Sequence, residues 1–185
     1  MSTNFRVLGI AGSLRKASYN RALLRAASEL APSGLTIEMV EIGNIPFYDG
    51  DVEAQGLPAS VQELRERILA ADGLLFATPE YNYSIPGVLK NAIDWFSRPP
   101  SPPSDRKPVG IIGASGGNGG TMRAQYHLRQ VGVMLNWRTF NKPEVFIARA
   151  QDKFDAEGKL TDEATRKVLA QHLQEFYDWI ALLKK

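Results

Sequence analysis

The sequence predicts an α/β protein: a doubly wound parallel sheet of five strands, order 2-1-3-4-5, with helices on both faces. Three observations predict it. Short apolar runs alternate with helical patterns along the chain. The helical segments are long enough to cross over between parallel strands, and right-handed crossovers then wind the sheet both ways. No internal repeat interrupts the alternation, and two proline-rich stretches read as insertions, so residues 1–185 are expected to form one domain.

Each element has its own signal. Phe5–Ala11 is an apolar run ending at Gly12 and Ser13, the form of a strand buried on both faces. From Asn20 to Leu30 the residues Ala22, Leu23, Ala26, Ala27 and Leu30 share one helical face, and Pro32, Ser33 and Gly34 stop the helix. Leu35–Ile42 alternates like a strand, and 44–58 is a loop rich in Pro, Gly and Asp. Ser60 is expected to cap a helix through Ala71, with Glu63 completing a capping box. Gly73–Thr78 is a third buried strand. Ile85–Phe96 reads as a helix with Pro86 in its first turn, where a missing N–H does no harm. After the proline-rich loop Arg98–Pro108, Val109–Ala114 is the fourth strand. Thr121–Leu135 is helical, 144–148 is the fifth strand, and Thr161–Leu183 is an amphipathic helix with Thr161 at its cap.

Composition removes several function classes. With 44% hydrophobic and 23% charged residues, a chain of 185 residues builds a core without disulfides or metal staples. It has no cysteine, which excludes disulfides, thiolate nucleophiles and Cys-ligated metals. His127 and His172 fall on different helices without a further ligand at metal spacing, so no metal site is expected. The net charge is only +2, from 22 dispersed basic and 20 acidic residues, so no nucleic-acid partner is expected. No apolar run approaches the roughly 20 residues that span a bilayer. Met1–Arg6 leads directly into a strand, without a signal-peptide core. The expectation is a soluble cytoplasmic protein with no membrane partner.

In a doubly wound sheet, ligands bind beyond the carboxyl ends of the strands, at the switch point. Strands 1, 3 and 4 supply the loops there, and these are the most unusual in the sequence. Loop 1, Gly9–Asn20, follows the first strand and opens the first helix. Its small residues admit an anion to backbone N–H groups and the helix dipole, Ser13, Ser18 and Asn20 add neutral donors, and Arg15 adds a charged fork. It suits a phosphate monoester. A dinucleotide fingerprint fails at Ala11, where its second glycine should stand, although Glu41 could mimic the ribose-binding acid. No G-K-[ST] occurs, so a P-loop is excluded.

Loop 2, Thr78–Gly87, carries Tyr81 and Tyr83 and can wall a flat ring. In the helix that follows, Leu89, Ile93 and Phe96 mark a core face, and Lys90 and Asp94 form an i, i+4 pair. Trp95, Phe96 and the prolines of 98–108 are read as apolar surface for a partner subunit. Loop 3, Ser115–Gly120 (SGGNGG), is a backbone with little in the way of a close-lying ligand.

Residues 12–20 (GSLRKASYN), 78–95 (TPEYNYSIPGVLKNAIDW) and 115–120 (SGGNGG) resemble the NADPH-dependent FMN reductase family. That family comprises flavodoxin-like enzymes, including quinone, chromate and ferric reductases and some azoreductases. The resemblance implies bound FMN, with NADPH or NADH as electron donor. It implies that Ser13, Arg15, Ser18 and Asn20 hold the FMN phosphate. Pro79, Glu80, Tyr81 and Asn82 would line the isoalloxazine and ribityl region, and Ser115, Gly116 and Gly117 would meet the ring's other side. It implies a homodimer or homotetramer with FMN near a subunit interface.

The expected function is therefore hydride transfer from NAD(P)H through FMN to quinones, and to azo, chromate or ferric acceptors. Because the flavin carries the hydride, no catalytic acid or base is assigned. One open ring face shared by donor and acceptor implies ping-pong turnover. The alternative readings are a flavodoxin-type electron carrier and a non-catalytic protein that binds a phosphate-bearing ligand.

Overall fold

The computed structural model describes residues 4–184; Met1–Thr3, part of the segment read as leading into the first strand, and Lys185 lie outside them. The sheet runs β2 (Leu35–Val40), β1 (Phe5–Ala11), β3 (Gly73–Ala77), β4 (Pro108–Ala114), all parallel. Every residue of β3 and β4 is buried, as central strands covered on both faces require. The outer strand β2 instead alternates buried and exposed positions over most of its length.

The fifth position differs from expectation. Two short strands fill it: β5 (Arg138–Thr139) pairs with the start of β4, and β6 (Val145–Ile147) pairs with its end. The segment between them contains Pro143, which has no N–H to donate to a ladder. The strand read at 144–148 is thus β6, and among the described residues the sheet has six strands in five positions.

Helices cover both faces. On one side α1 (Tyr19–Leu30) and α6 (Glu163–Leu183) bury Leu23, Leu24, Leu169 and Phe176. On the other, α3 (Ala59–Ala70), α4 (Gly87–Phe96) and α5 (Met122–Met134) bury Leu64, Ile68, Ile93 and Leu128. Trp95 and Phe96 lie wholly inside this second core, and the Trp95 indole N–H donates to the Pro46 carbonyl at 2.8 Å. They are core residues of this chain, not surface for a partner. Among the described residues no helix is long and apolar enough to cross a membrane.

Helix starts depart from the sequence reading in physical detail. Ser60 does not cap α3. Pro58 is extended and its carbonyl accepts from Val61 and Gln62, so the helix begins one residue before Ser60. The Ser60 hydroxyl donates instead to Asn44 O at 3.2 Å, and Glu63 faces Arg67. Pro86 likewise holds an extended ψ of 139°, so α4 starts at Gly87 rather than Ile85. Asp162, not Thr161, caps α6 by accepting Thr165 N–H at 2.9 Å. A short helix, α2 (Gly50–Glu53), sits unforeseen in the 44–58 loop, capped by Asp49.

His172 of α6 is the most buried titratable group described. Its Nδ1 lies 2.6 Å from Pro143 O, and a carbonyl only accepts, so Nδ1 carries the proton. Nε2 is bare and buried against Gly110. Burial pushes the His172 pKa down to about 4, more than the Pro143 carbonyl raises it; the Arg129 charge lowers it further.

Between pH 6.5 and about 4 the unfolded chain therefore binds a proton that the folded chain excludes. Stability should fall as pH drops through that window, by roughly 3 kcal/mol at its lower end. Urea unfolding at pH 7 and pH 4.5, compared with His172→Phe, checks this. The variant should lose the His172 contribution to the slope.

Candidate active site

The parallel register sets the carboxyl ends of β1, β3, β4 and β6 side by side, with Ala11 opposite Ala77 and Ala114 opposite Ile147. Loops 1, 2 and 3 leave these ends together. The Gly12 N–H donates to Ala77 O at 2.9 Å, and a Cβ on Gly12 would press on Pro79 and Leu89 at 3.1 Å, so loops 1 and 2 are in contact.

In loop 1, Ser18 caps α1, accepting the Asn20 and Arg21 N–H groups at 3.2 and 3.4 Å. Those bonds use its lone pairs and leave its O–H free to donate outward. Ser13 is buried and accepts Arg15 N–H at 3.4 Å. The Arg15 side chain is exposed and makes no hydrogen bond or ion pair among the described residues. The first turn of α1 holds no acidic residue, so the positive end of its dipole is not offset there. The N–H groups of Ser13, Leu14, Lys16 and Ala17 donate to no protein acceptor among the described residues.

Asn20 occupies a different place from the other three loop 1 residues. Its carboxamide is buried, donates to Ala114 O and accepts Ala114 N–H, both at 2.9 Å. It joins the start of α1 to the end of β4, leaving one amide hydrogen uncommitted. Glu41, weighed as a ribose acid, is taken by an ion pair with Arg21.

In loop 2, Pro79 is buried, while Tyr81 and Tyr83 are exposed. Tyr81 and Ser84 exchange backbone hydrogen bonds at 3.1 and 3.0 Å across a two-residue turn, with Asn82 and Tyr83 at φ 50° and 66°. The Glu80 carboxylate is engaged by the start of α5. It accepts the N–H groups of Arg123 and Ala124 at 3.0 and 3.2 Å and pairs with the Arg123 guanidinium. Burial raises the Glu80 pKa, but these charged and backbone donors outweigh it and hold the carboxyl below the usual carboxylate range. In this loop the backbone N–H groups of Glu80, Asn82 and Tyr83 donate to no protein acceptor among the described residues.

Loop 3 is seated by its flanking glycines. A Cβ at Gly113 would stand 2.0 Å from Thr121 Oγ1 and 2.5 Å from Thr78 O, so only glycine lets α5 start this close to β3. Gly120 has φ +53° and lies against the Phe146 carbonyl, where a Cβ would come within 2.7 Å. A 3-10 turn after β6 buttresses the loop: Arg149 N–H donates to Gly117 O and Ala150 N–H to Ser115 O, at 3.1 and 3.0 Å. The N–H groups of Gly116, Gly117 and Asn118 donate to no protein acceptor among the described residues, and the space beside Gly117 is open for 4 Å.

The loops therefore gather Ser13, Arg15, Ser18, Pro79, Tyr81, Asn82, Ser115, Gly116 and Gly117 at one edge of the sheet. The side chains of Asn20 and Glu80 are turned to other work. Sequence reasoning missed Arg123 and His127 of α5 and the Arg149–Asp152 turn. Their only signal is position after a glycine-rich loop or a strand, since their partners are distant in sequence.

A family model described as NADPH-dependent FMN reductase matches residues 5–152. The chain belongs to this family. The matched span holds all three loops, and the flavodoxin-like order of the sheet agrees with it.

Among similar members is an NAD(P)H-dependent FMN reductase of Pseudomonas aeruginosa, 55% identical over 184 residues and covering all of both chains. A quinone reductase of Escherichia coli is 43% identical over 187 residues, again across the full length of both. Among solved structures, a flavoenzyme NAD(P)H:(acceptor) oxidoreductase of Paracoccus denitrificans superposes with a TM-score of 0.88. It is 37% identical, and the match covers 96% of this chain and 98% of that one.

Asn20→Ala should destabilise the fold by about 2–5 kcal/mol, because it strands a buried N–H and a buried C=O of Ala114. Asn20→Asp keeps one acceptor for the Ala114 N–H but offers its carbonyl no donor, and should recover only part of the loss. Urea denaturation midpoints of the two variants check both.

Proposed function

We propose that the chain is an FMN-dependent NAD(P)H:acceptor oxidoreductase that holds FMN across loops 1, 2 and 3 and delivers electrons to quinones. The observation that carries the reading is the set of uncommitted backbone N–H groups on loops 1 and 3. Those of loop 1 flank Arg15, whose side chain makes no hydrogen bond or ion pair among the described residues, and lead into an α1 terminus with no acidic residue. This donor set fits a phosphate at one end and an acceptor-rich ring edge at the other.

Ser13, Arg15 and Ser18, with the loop 1 amides, would take the phosphate dianion, the α1 dipole adding to the attraction. Asn20 acts by holding that cradle to β4, with one amide hydrogen left for the ligand. Pro79, the Glu80 amide, Tyr81 and Asn82 would border the ring and ribityl chain. Ser115, Gly116 and Gly117 would donate to the ring's polar edge, and fixed donors there favour whichever redox form carries more negative charge. Bound FMN supplies the hydride chemistry itself, accepting from reduced nicotinamide and passing electrons onward. The protein binds, orients and sets the electrostatics, and no side-chain acid or base is assigned.

Azo, chromate and ferric acceptors belong to the same reading, since an open ring face needs little acceptor recognition. A homodimer or homotetramer is supported by Met122, Tyr126 and Val133, which share an exposed face of α5 and leave 44%, 47% and 82% of their surface uncovered. We infer a cytoplasmic location, which is compatible with NAD(P)H as reductant.

Turnover should be ping-pong, because loop 1 and the strand ends would lie against one side of the bound ring, leaving donor and acceptor to alternate on the other. Double-reciprocal plots at several fixed quinone concentrations should be parallel, with high quinone competing against NAD(P)H. Intersecting lines would mean two separate pockets.

A further inference from the structure

Loop 3 contains a reactive dipeptide. Asn118-Gly119 is the one place in the sequence where glycine follows asparagine. A glycine nitrogen has no neighbouring Cβ to shield it. It can attack the side-chain carbonyl carbon of the asparagine before it, a thermolabile residue type.

The structure leaves both reactants uncommitted. Asn118 is exposed, and its carboxamide makes no hydrogen bond among the described residues. The Gly119 N–H donates to no protein acceptor among them. Asn20 and Asn91 show the contrast. Both are buried and bonded, Asn20 to Ala114 and Asn91 to Pro46 O and Tyr48 N–H, and the residues that follow them are helical. The loop is also pinned on either side of the dipeptide. Gly117 O accepts the Arg149 N–H at 3.1 Å, and Gly119 O accepts the Met122 N–H at 3.0 Å.

We propose that Asn118 is a spontaneous deamidation site, and that its conversion loosens the hold of loop 3 on FMN. The Gly119 nitrogen gives up its proton and bonds to Asn118 Cγ. The Cγ–Nδ2 bond breaks, ammonia leaves, and a cyclic imide remains. Water then opens the ring. Breaking the new Cγ–N bond gives aspartate; breaking the original peptide bond gives isoaspartate, whose main chain runs through Cβ. The sequence needs only water and involves no oxidant or reductant.

Either product puts a carboxylate beside the amides of Gly116 and Gly117, against an acceptor-rich ring edge. Isoaspartate also adds an atom to the main chain between the two pinned carbonyls, so the donors there must shift. A ligand bonded to those donors holds the loop still and slows the attack. The effect on FMN rests on the function proposed above; the conversion itself does not.

The test ages the full chain, FMN-free and FMN-loaded, over a series of pH values. Peptide mass mapping should find a gain of about 1 Da at Asn118, NH2 exchanged for O–H, ahead of every other asparagine. The gain should be faster at higher pH and faster without FMN. Aged FMN-free protein should bind FMN about 2- to 10-fold more weakly than fresh protein, the worth of one neutral hydrogen bond. Gly119→Ala is the control. Gly119 has no left-handed φ, and a Cβ there meets only the far end of the Arg123 side chain, at 3.3 Å. The variant should therefore fold, gain the mass far more slowly and keep its FMN affinity on ageing. Asn118→Ser, which has no amide to lose, should keep its starting affinity as well.

No mass gain at Asn118 in FMN-free wild type, or an equal rate in Gly119→Ala, overturns the site. A mass gain that leaves FMN affinity unchanged overturns its assigned effect. If fresh wild type takes up no FMN, the cofactor reading fails and the effect on FMN fails with it, while the mass gain still decides the site.

Discussion

The carboxamide of Asn20 holds the two sides of the site in register. Oxygen and nitrogen both bond to the backbone of Ala114, as another strand's backbone would. Ala114 is the last residue of β4, and loop 3 begins at the next position. Asn20 in turn sits in the first turn of α1, two residues past its Ser18 cap. One buried side chain therefore fixes the distance from the uncommitted amides of loop 1 to those of loop 3. If it were lost, each loop could keep its own conformation, but their spacing would no longer be set. A ligand that bridges both loops needs that spacing before it arrives, since ordering them on binding would subtract from affinity.

The opposite side of the crevice is closed by a charge rather than an amide. Glu80 takes two N–H groups at the start of α5, where the helix dipole favours a carboxylate. The glycine at 113 lets Thr121 and Gln125 of that helix come within contact of β3 and β4. Loops 2 and 3 are thus joined through the helix that follows loop 3. The positive α1 terminus remains open, whereas the positive α5 terminus is occupied by the protein's own acid. That difference marks the loop 1 end as the one free to take an anion.

The legible parts of the fold were those encoded by local pattern. The buried strands Phe5–Ala11, Gly73–Ala77 and Pro108–Ala114 announce themselves as apolar runs, and Ser18 and Arg15 stand where a helix start would use them. The split fifth position was not legible, because β5 is only Arg138–Thr139 and carries no periodicity. Ser60 misled for a local reason: a proline carbonyl began the helix before the serine could cap it. Phe96 lies on the core face that its spacing with Leu89 and Ile93 marks, but Trp95 misled because nothing in the local pattern says which neighbour buries it. In the site, the residue types of loops 1 and 3 were informative on their own. The direction in which Glu80 points was not, since its partners lie 43 and 44 positions away. The second role of Asn20 depended on Ala114, 94 residues distant, for the same reason.

The central claim is that loop 1 is a phosphate cradle in which Arg15 supplies the charged contact. The direct measurement is a titration of the FMN-free protein and of Arg15→Ala with FMN and with riboflavin, which lacks the phosphate. Wild type should prefer FMN strongly. Arg15→Ala should lose roughly 10- to 150-fold in FMN affinity, the worth of a charged hydrogen bond, while its riboflavin affinity stays as in wild type. Equal binding of FMN and riboflavin by wild type, or equal losses for both ligands in the variant, would contradict the account.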